Sequence, residues 1–303
     1  SSGWVLGGPQ YAFRREGAVA GTVVGVGSQV RGFAVGDEVF ARARDGQIGT
    51  FAERVAVRAA DVALRPRNLS MEEAASLPLV ALTAWQALVE IGKVTPGDKV
   101  LIHGGSGGVG SIAIQLAKHL GATVATTVSA ANADLVRGLG ADVVIDHRTE
   151  SFDDVLSDYD LVLDGVSGDN VLRSLTVLRP GGTVIGIAGP PDPAFAEQLG
   201  LNPVLRLVMA GLSRKARVRA ARLGVTYRFL FMSADGRQLS EIAALVEAGA
   251  LRPVVGKVVE FDDLAESLAT LGQGGTTGKT VASLPDGALS AIHTTHPESR
   301  EKP

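Results

Sequence analysis

Residues 100–120 read VLIHGGSGGVGSIAIQLAKHL, and five of the seven positions 104–110 are glycine. The stretch joins an apolar run to a helical repeat. In that repeat Ile112, Leu116 and Leu120 share a face with Ala113 and Ala117, while Gln115, Lys118 and His119 are expected to point away. Gly105, Gly107 and Gly110 satisfy G-x-G-x-x-G between a predicted strand and a predicted helix. There, one glycine permits the turn, another lets the backbone touch a pyrophosphate, and the last lets helix and strand pack closely. Free N–H groups and the positive end of the helix dipole then hold the negative charge. A Walker-type loop is excluded, because Ser111 and Ile112 follow Gly110 where Lys and Ser/Thr would be needed. The loop predicts a dinucleotide site.

The surrounding pattern agrees. KVLIH, TVATTV, DVVID, LVLDG and TVIGIAG are short apolar runs of the kind buried on both faces of a sheet, with helical patterns between them. This alternation predicts an α/β fold with a doubly wound parallel sheet. Residues 193–224 read as an extra helical pair, followed by a strand (VTYRFLFM), a helix (238–249), a strand (VVGKVVEF), a helix (262–271) and a strand (GKTVASLP). Upstream, residues 18–60 read as short strands. The stretch SMEEAASLPLVALTAWQALVEIGK reads as a helix capped by Ser70, with Glu73 completing a capping box.

NAD or NADP is decided at the end of the second strand of such a sheet, where a carboxylate favours NAD. Here Thr126, Thr127, Ser129 and Asn132 surround that end, and the first acid, Asp134, lies in the next helix. Hydroxyls and an amide favour NADP(H), with helix capping as the alternative task for Ser129. The chain has no cysteine, which excludes disulfides, thiolate chemistry and sulfur-ligated zinc. A net charge of −3 gives no general pull toward nucleic acid or anionic lipid. No apolar run reaches the ~20 residues of a membrane span, and the N-terminus lacks a signal-peptide pattern. These features predict a cytoplasmic protein with neither nucleic-acid nor membrane partners. The basic run containing Arg214, Lys215, Arg217, Arg219 and Arg222 has no interleaved aromatics. It is read as a solvated helix covering a substrate cleft.

GTFAERVAVRAADVALRPRNLSMEEAASLPLVALTAWQAL, IHGGSGGVGSIAIQLAKHLGATV, GADVVIDHR and LRPGGTVIGIAGPP together resemble the medium-chain dehydrogenase/reductases, specifically the zinc-independent quinone oxidoreductase branch. The resemblance runs from about residue 18 to 284. It implies a GroES-like β-rich substrate domain crossing into a Rossmann domain and returning: residues 1–85, 86–236 and 237–285, with a disordered tail at 286–303. It also implies NADPH-dependent reduction of small-molecule quinones or enones by hydride transfer, in a homodimer.

Carried over position by position, Ser106, Gly107, Gly108, Val109 and Gly110 would hold the pyrophosphate, with Ser129 and Asn132 by the 2′-phosphate. His147 would lie against the adenosine phosphate and Thr83 would face the nicotinamide ribose. Ile187, Ala188 and Gly189 would pass along the nicotinamide, Phe229 and Phe231 would close over it, and Lys279 would approach from the returning segment. Thr83 has a plainer task open to it, satisfying a helix carbonyl, and the phenylalanines are equally core candidates. Tyr11, Tyr159 and Tyr227 are the only tyrosines, and none is assigned as a proton donor.

Two departures qualify the resemblance. The first histidine is His103, so the zinc ligands of metal-dependent relatives are missing from the substrate part. Only seventeen residues precede AVAGTVVGVG, where the family normally has several strands, which predicts an incomplete substrate domain with exposed strand edges. A non-catalytic NADP(H)-binding protein is therefore the alternative function.

Overall fold

The computed structural model describes residues 5–7, 17–44, 54–166, 168–198, 200, 202–263, 266–267 and 277–283. The tail at 286–303, Tyr11, and most of the helix expected at 262–271 lie outside the described residues.

The first sheet contains β1 (Val5–Gly7), β2 (Ala18–Gly25), β3 (Glu38–Arg42), β4 (Arg54–Val55) and β5 (Val62–Leu64) in the order β4-β1-β2-β3-β5, antiparallel throughout. Val19 and Val23 of β2 are buried between less buried neighbours, the period-two signature of a half-buried strand. Gly36 supplies the positive φ of the turn before β3. The strand β2 is paired on both sides, with β1 and β3.

The helix expected from Ser70 onward forms in three pieces. Ser70 and Glu73 make the reciprocal capping box of α1 (Met71–Ser76). Pro78 lacks the N–H that would continue α1 and instead opens α2 (Pro78–Trp85), which runs into a single π-helical turn over Gln86–Ile91.

The second sheet is parallel throughout and contains β6 (Lys99–His103), β7 (Thr123–Val128), β8 (Val143–Asp146), β9 (Tyr159–Asp164), β10 (Leu178–Gly186) and β11 (Thr226–Phe229). Its order is β11-β10-β9-β6-β7-β8. The first strand thus lies in the middle, and the winding reverses beside it, the arrangement that opens a crevice outside the strands' carboxyl ends. The helices of this half are α3 (Gly108–His119), α4 (Ala133–Gly138), α5 (Phe152–Val155) and α6 (Asn170–Ser174). The segment between β10 and β11 holds three helices rather than a pair: α7 (Pro193–Gln198), α8 (Pro203–Leu212) and α9 (Arg214–Leu223). The chain returns through α10 (Gly236–Glu247) and a parallel pair, β12 (Val255–Glu260) and β13 (Lys279–Ser283).

Val100, Leu101 and Ile102 of β6 are fully buried; Val100 and Ile102 pack in the cluster that includes α2 and α3, and Leu101 faces the opposite side with Ile145 and Phe152. One prediction for α3 fails: Gln115 is buried. Its amide donates to the carbonyls of Ser111 and Arg252 at 2.9 and 3.0 Å, and its oxygen accepts from the Arg252 N–H at 2.9 Å. A buried amide is tolerated because every group finds a partner. Here it ties α3 to the start of the return segment.

Candidate cofactor site

The glycine loop owes its shape to unequal glycines. Positive φ falls at Gly104 (+70°), one residue before the G-x-G-x-x-G motif, so the turn is made there and not at Gly105. A Cβ on Gly105 would lie 2.2 Å from Thr126 Oγ1, and one on Gly110 would lie 2.3 Å from the Gly104 carbonyl oxygen. These two glycines let α3 and β7 close on the end of β6. Gly107 is different: a Cβ there would meet only the Gly104 carbonyl oxygen, at 3.3 Å. Gly107 is also the N-cap of α3, with no side chain capping the helix, so the amides of the first turn are presented outward.

Beneath the loop lies a buried polar layer. Gly104 N–H donates to the carbonyl and Oγ1 of Thr127 at 3.1 and 3.3 Å, and Gly105 N–H donates to the same carbonyl at 3.2 Å. His103, the last residue of β6 and not a loop residue, places Nδ1 3.0 Å from Thr127 Oγ1 and Nε2 3.0 Å from Ser174 Oγ. Its ring packs edge-on to Phe152. Burial lowers its pKa to about 4, against a smaller opposing pull from Asp164. The imidazole is therefore neutral at pH 7 and serves as a cross-link. Thr126, expected by the phosphate, is fully buried and donates to the Ile102 carbonyl at 2.7 Å.

Over the carboxyl ends of β6 and β7 opens a cavity of about 810 Å³, within the range of cofactor pockets. Of the expected site residues, Ser106, Gly107, Gly108, Val109, Gly110, Ser129, Asn132, His147 and Ile187 line it. Ser129 precedes a 3₁₀ turn at Ala130–Asn132 without capping it, so the capping alternative does not hold. Asn132 donates to Ser106 Oγ at 3.2 Å and accepts from Thr277 Oγ1 at 3.1 Å. Gly278 N–H donates to the Ser106 carbonyl at 2.8 Å, and Gly107 and Gly278 form an isolated parallel bridge. Lys279 is brought alongside: its stem lies over Gly108, where a Cβ would come 2.7 Å from Lys279 Cδ. The return segment is thus stitched to the loop.

Other expected residues fall elsewhere. Thr83 is buried and donates to the Leu79 carbonyl at 2.7 Å, so its hydroxyl is satisfied within its own helix and does not reach this cavity. Phe229 and Phe231 pack on Phe195, with ring centroids 5.1 and 5.2 Å apart, and are not among the cavity walls. Ala188 and Gly189 follow Ile187 but also leave the wall. Gly189 instead makes room for the Tyr227 hydroxyl, which donates to the Pro190 carbonyl at 2.8 Å. Burial raises the pKa of that hydroxyl. Tyr159 is likewise buried, with its pKa raised by burial.

The sequence reading missed Arg148, Glu150, Phe152, Asn170 and Arg173, all on the cavity wall. Arg148 adds a cation to that wall. Its signal was its place after β8, because neighbouring strand ends share one crevice. Arg173 is held by Asp153 and Ser151. Among the described residues no group of three or more His, Asp or Glu side chains is placed to hold a metal ion.

Residues 139–281 match the family model described as zinc-binding dehydrogenase. The chain is 36% identical over 274 residues to the mitochondrial NAD(P)H oxidoreductase RTN4IP1 of Danio rerio, covering 88% of this chain and 70% of that one. It is 36% identical over 273 residues to the 2-methylene-furan-3-one reductase of Solanum lycopersicum, covering 87% and 61%. The solved structure of the quinone oxidoreductase from Coxiella burnetii matches with a TM-score of 0.80 at 25% identity, covering 94% and 91%. A chloroplastic NADPH-dependent alkenal/one oxidoreductase of Arabidopsis thaliana is 34% identical over 273 residues. With relatives named for the mitochondrion and the chloroplast, the comparisons lend the cytoplasmic expectation no support.

Proposed function

The chain belongs to the zinc-independent quinone oxidoreductase branch of the medium-chain dehydrogenase/reductases, and on that premise we propose that it reduces quinones or α,β-unsaturated carbonyl compounds with NADPH. The observation that carries this reading is the cavity lined by the glycine-rich stretch Ser106–Gly110 at the N-terminus of α3. That stretch suits a diphosphate, because amide dipoles converge where side chains are absent. NADPH, when bound, supplies a hydride.

In this reading the amides of Gly108–Gly110 grip the diphosphate, while the Gly107 N–H is held by the Gly104 carbonyl at 3.0 Å. Ser129, Asn132, His147 and Arg148 take the ribose 2′-phosphate end; the strand end itself, Val128–Ser129, carries no carboxylate, and Glu150 is the one acid on that wall. Ile187, on the cavity wall, would flank the ring that carries the hydride, and Lys279 covers the loop. Positioning and polarity are the protein's contribution. The acceptor's oxygen would gain charge as the substrate is reduced, and a hydroxyl, an amide or water would have to meet it. Tyr227 is not the donor, since its hydroxyl is committed to Pro190. No metal is needed in this scheme, in keeping with a chain that has no cysteine.

The test is steady-state turnover of a quinone and enone panel with NADPH and with NADH. Turnover with NADPH preferred supports the proposal, and Arg148→Glu should cut that preference by about tenfold or more. NADPH binding without consumption of any acceptor would favour a non-catalytic binding protein. A preference for NADH would overturn the reading of residues 129–148.

A further inference from the structure

Helix α8 is the least embedded part of the segment between β10 and β11. None of its ten residues is buried, and residues 202–208 are all exposed. Val204, Leu207, Val208 and Leu212 are 71%, 74%, 53% and 57% exposed, with Leu205 at 43%. At about 100° per residue these five fall within an arc of about 160°. Arg206, on the opposite side, lies 4.0 Å from Glu197 of α7. A contiguous apolar stripe of this kind marks a contact face.

One buried residue, Ser213, separates α8 from α9. Ala216 and Ala220 form the buried side of α9, while Arg214, Lys215, Arg219 and Arg222 are exposed. Between Glu197 and Asp235 the chain has seven cations and no acid, although its overall net charge is −3; the remainder therefore carries −10. A solvated cover helix accounts for α9 but leaves the α8 stripe unexplained.

We propose that α8 and α9 form a docking surface for an anionic lipid bilayer. The α8 stripe enters the boundary between headgroups and acyl chains, and the α9 cations lie against the headgroups. Charge selects this occupant. A second copy meeting α8 across a two-fold axis would bring two cationic helices together. A nucleic acid would leave the stripe in water and find no aromatic residue on either helix to stack upon. The contact is superficial, as no helix among the described residues is long and apolar enough to cross a membrane.

The experiment is flotation of the full chain with phosphatidylcholine vesicles made with and without phosphatidylglycerol, at low and high salt. The protein should float with the anionic vesicles only, and salt should release it. Arg214→Glu with Lys215→Glu should lower vesicle affinity by about tenfold or more, and Leu207→Glu with Val208→Glu should abolish flotation. Circular dichroism and NADPH affinity should stay unchanged in both variants, which shows that they fold. Equal flotation with neutral vesicles, or undiminished flotation of the charge-reversed variant, overturns the proposal. So does a drop in molar mass by light scattering in the α8 variant, which would assign the stripe to a second copy. The readout is binding, so its failure is distinct from failure of the proposed reductase activity.

Discussion

At the residue scale, the glycines of the loop divide by what they face. Gly110→Ala sets a methyl group 2.3 Å from a backbone oxygen that has no room to yield. Thermal unfolding should show a loss of several degrees or more, with cofactor affinity lost alongside. Gly107→Ala meets the same oxygen only at 3.3 Å, so its loss in melting temperature should be clearly smaller than that of Gly110→Ala. NADPH titration of that variant should still show at least roughly tenfold weaker binding, because the methyl group stands where a phosphate would. Equal damage by both substitutions would mean that the bare floor serves packing alone. His103 offers a pH test. Its pKa is lowered to about 4 by burial, below the value of about 6.5 for an exposed histidine. The folded state therefore stays neutral while the unfolded chain takes a proton, and stability is lost as pH falls from about 6.5 to 4. The loss amounts to about 3 kcal/mol. Urea unfolding across that range should show the slope in the parent chain and a shallower one in His103→Gln.

At the element scale, the π-helical turn after α2 acts as a clasp. Gln86 donates to the Ser233 carbonyl and to Gln238 Oε1, both at 2.8 Å, and accepts from the Ser233 N–H at 3.0 Å. Gln86→Leu would leave the buried Gln238 oxygen without this donor, so denaturant unfolding should show a loss of about 1–3 kcal/mol. The strands of the parallel sheet were legible because each is a short apolar run that has to be buried on both faces. Helix α3 was legible except at Gln115, whose amide is buried through partners that lie 137 positions away in sequence. The break at Pro78 was written in the sequence but outweighed by the unbroken apolar pattern around it. The site was half legible. Its floor follows from a motif with local geometry, whereas Arg148, Asn170 and Arg173 reach the cavity only through the order in which the strands assemble. Phe229 and Phe231 were misplaced because the sequence does not reveal that Phe195 of α7 would claim both rings.

At the scale of the whole molecule, loop and return segment form one unit, joined through Gly278–Ser106, Thr277–Asn132 and the stem of Lys279 over Gly108. Anything that settles on the loop should therefore quiet β13 as well. Hydrogen exchange with and without NADPH should show added protection at residues 104–110 and 277–283 together. Protection confined to the loop would mean that the stitching transmits nothing.

That stitching also sets an order of events during synthesis. Thr277 and Asn132 bond across 145 positions of chain, so a ribosome displays the glycine floor long before its cover has been translated. A nascent molecule can assemble the sheet around β6 early. It gains the cover of the return segment only after residue 279 leaves the exit tunnel, so the glycine floor is made first and roofed later.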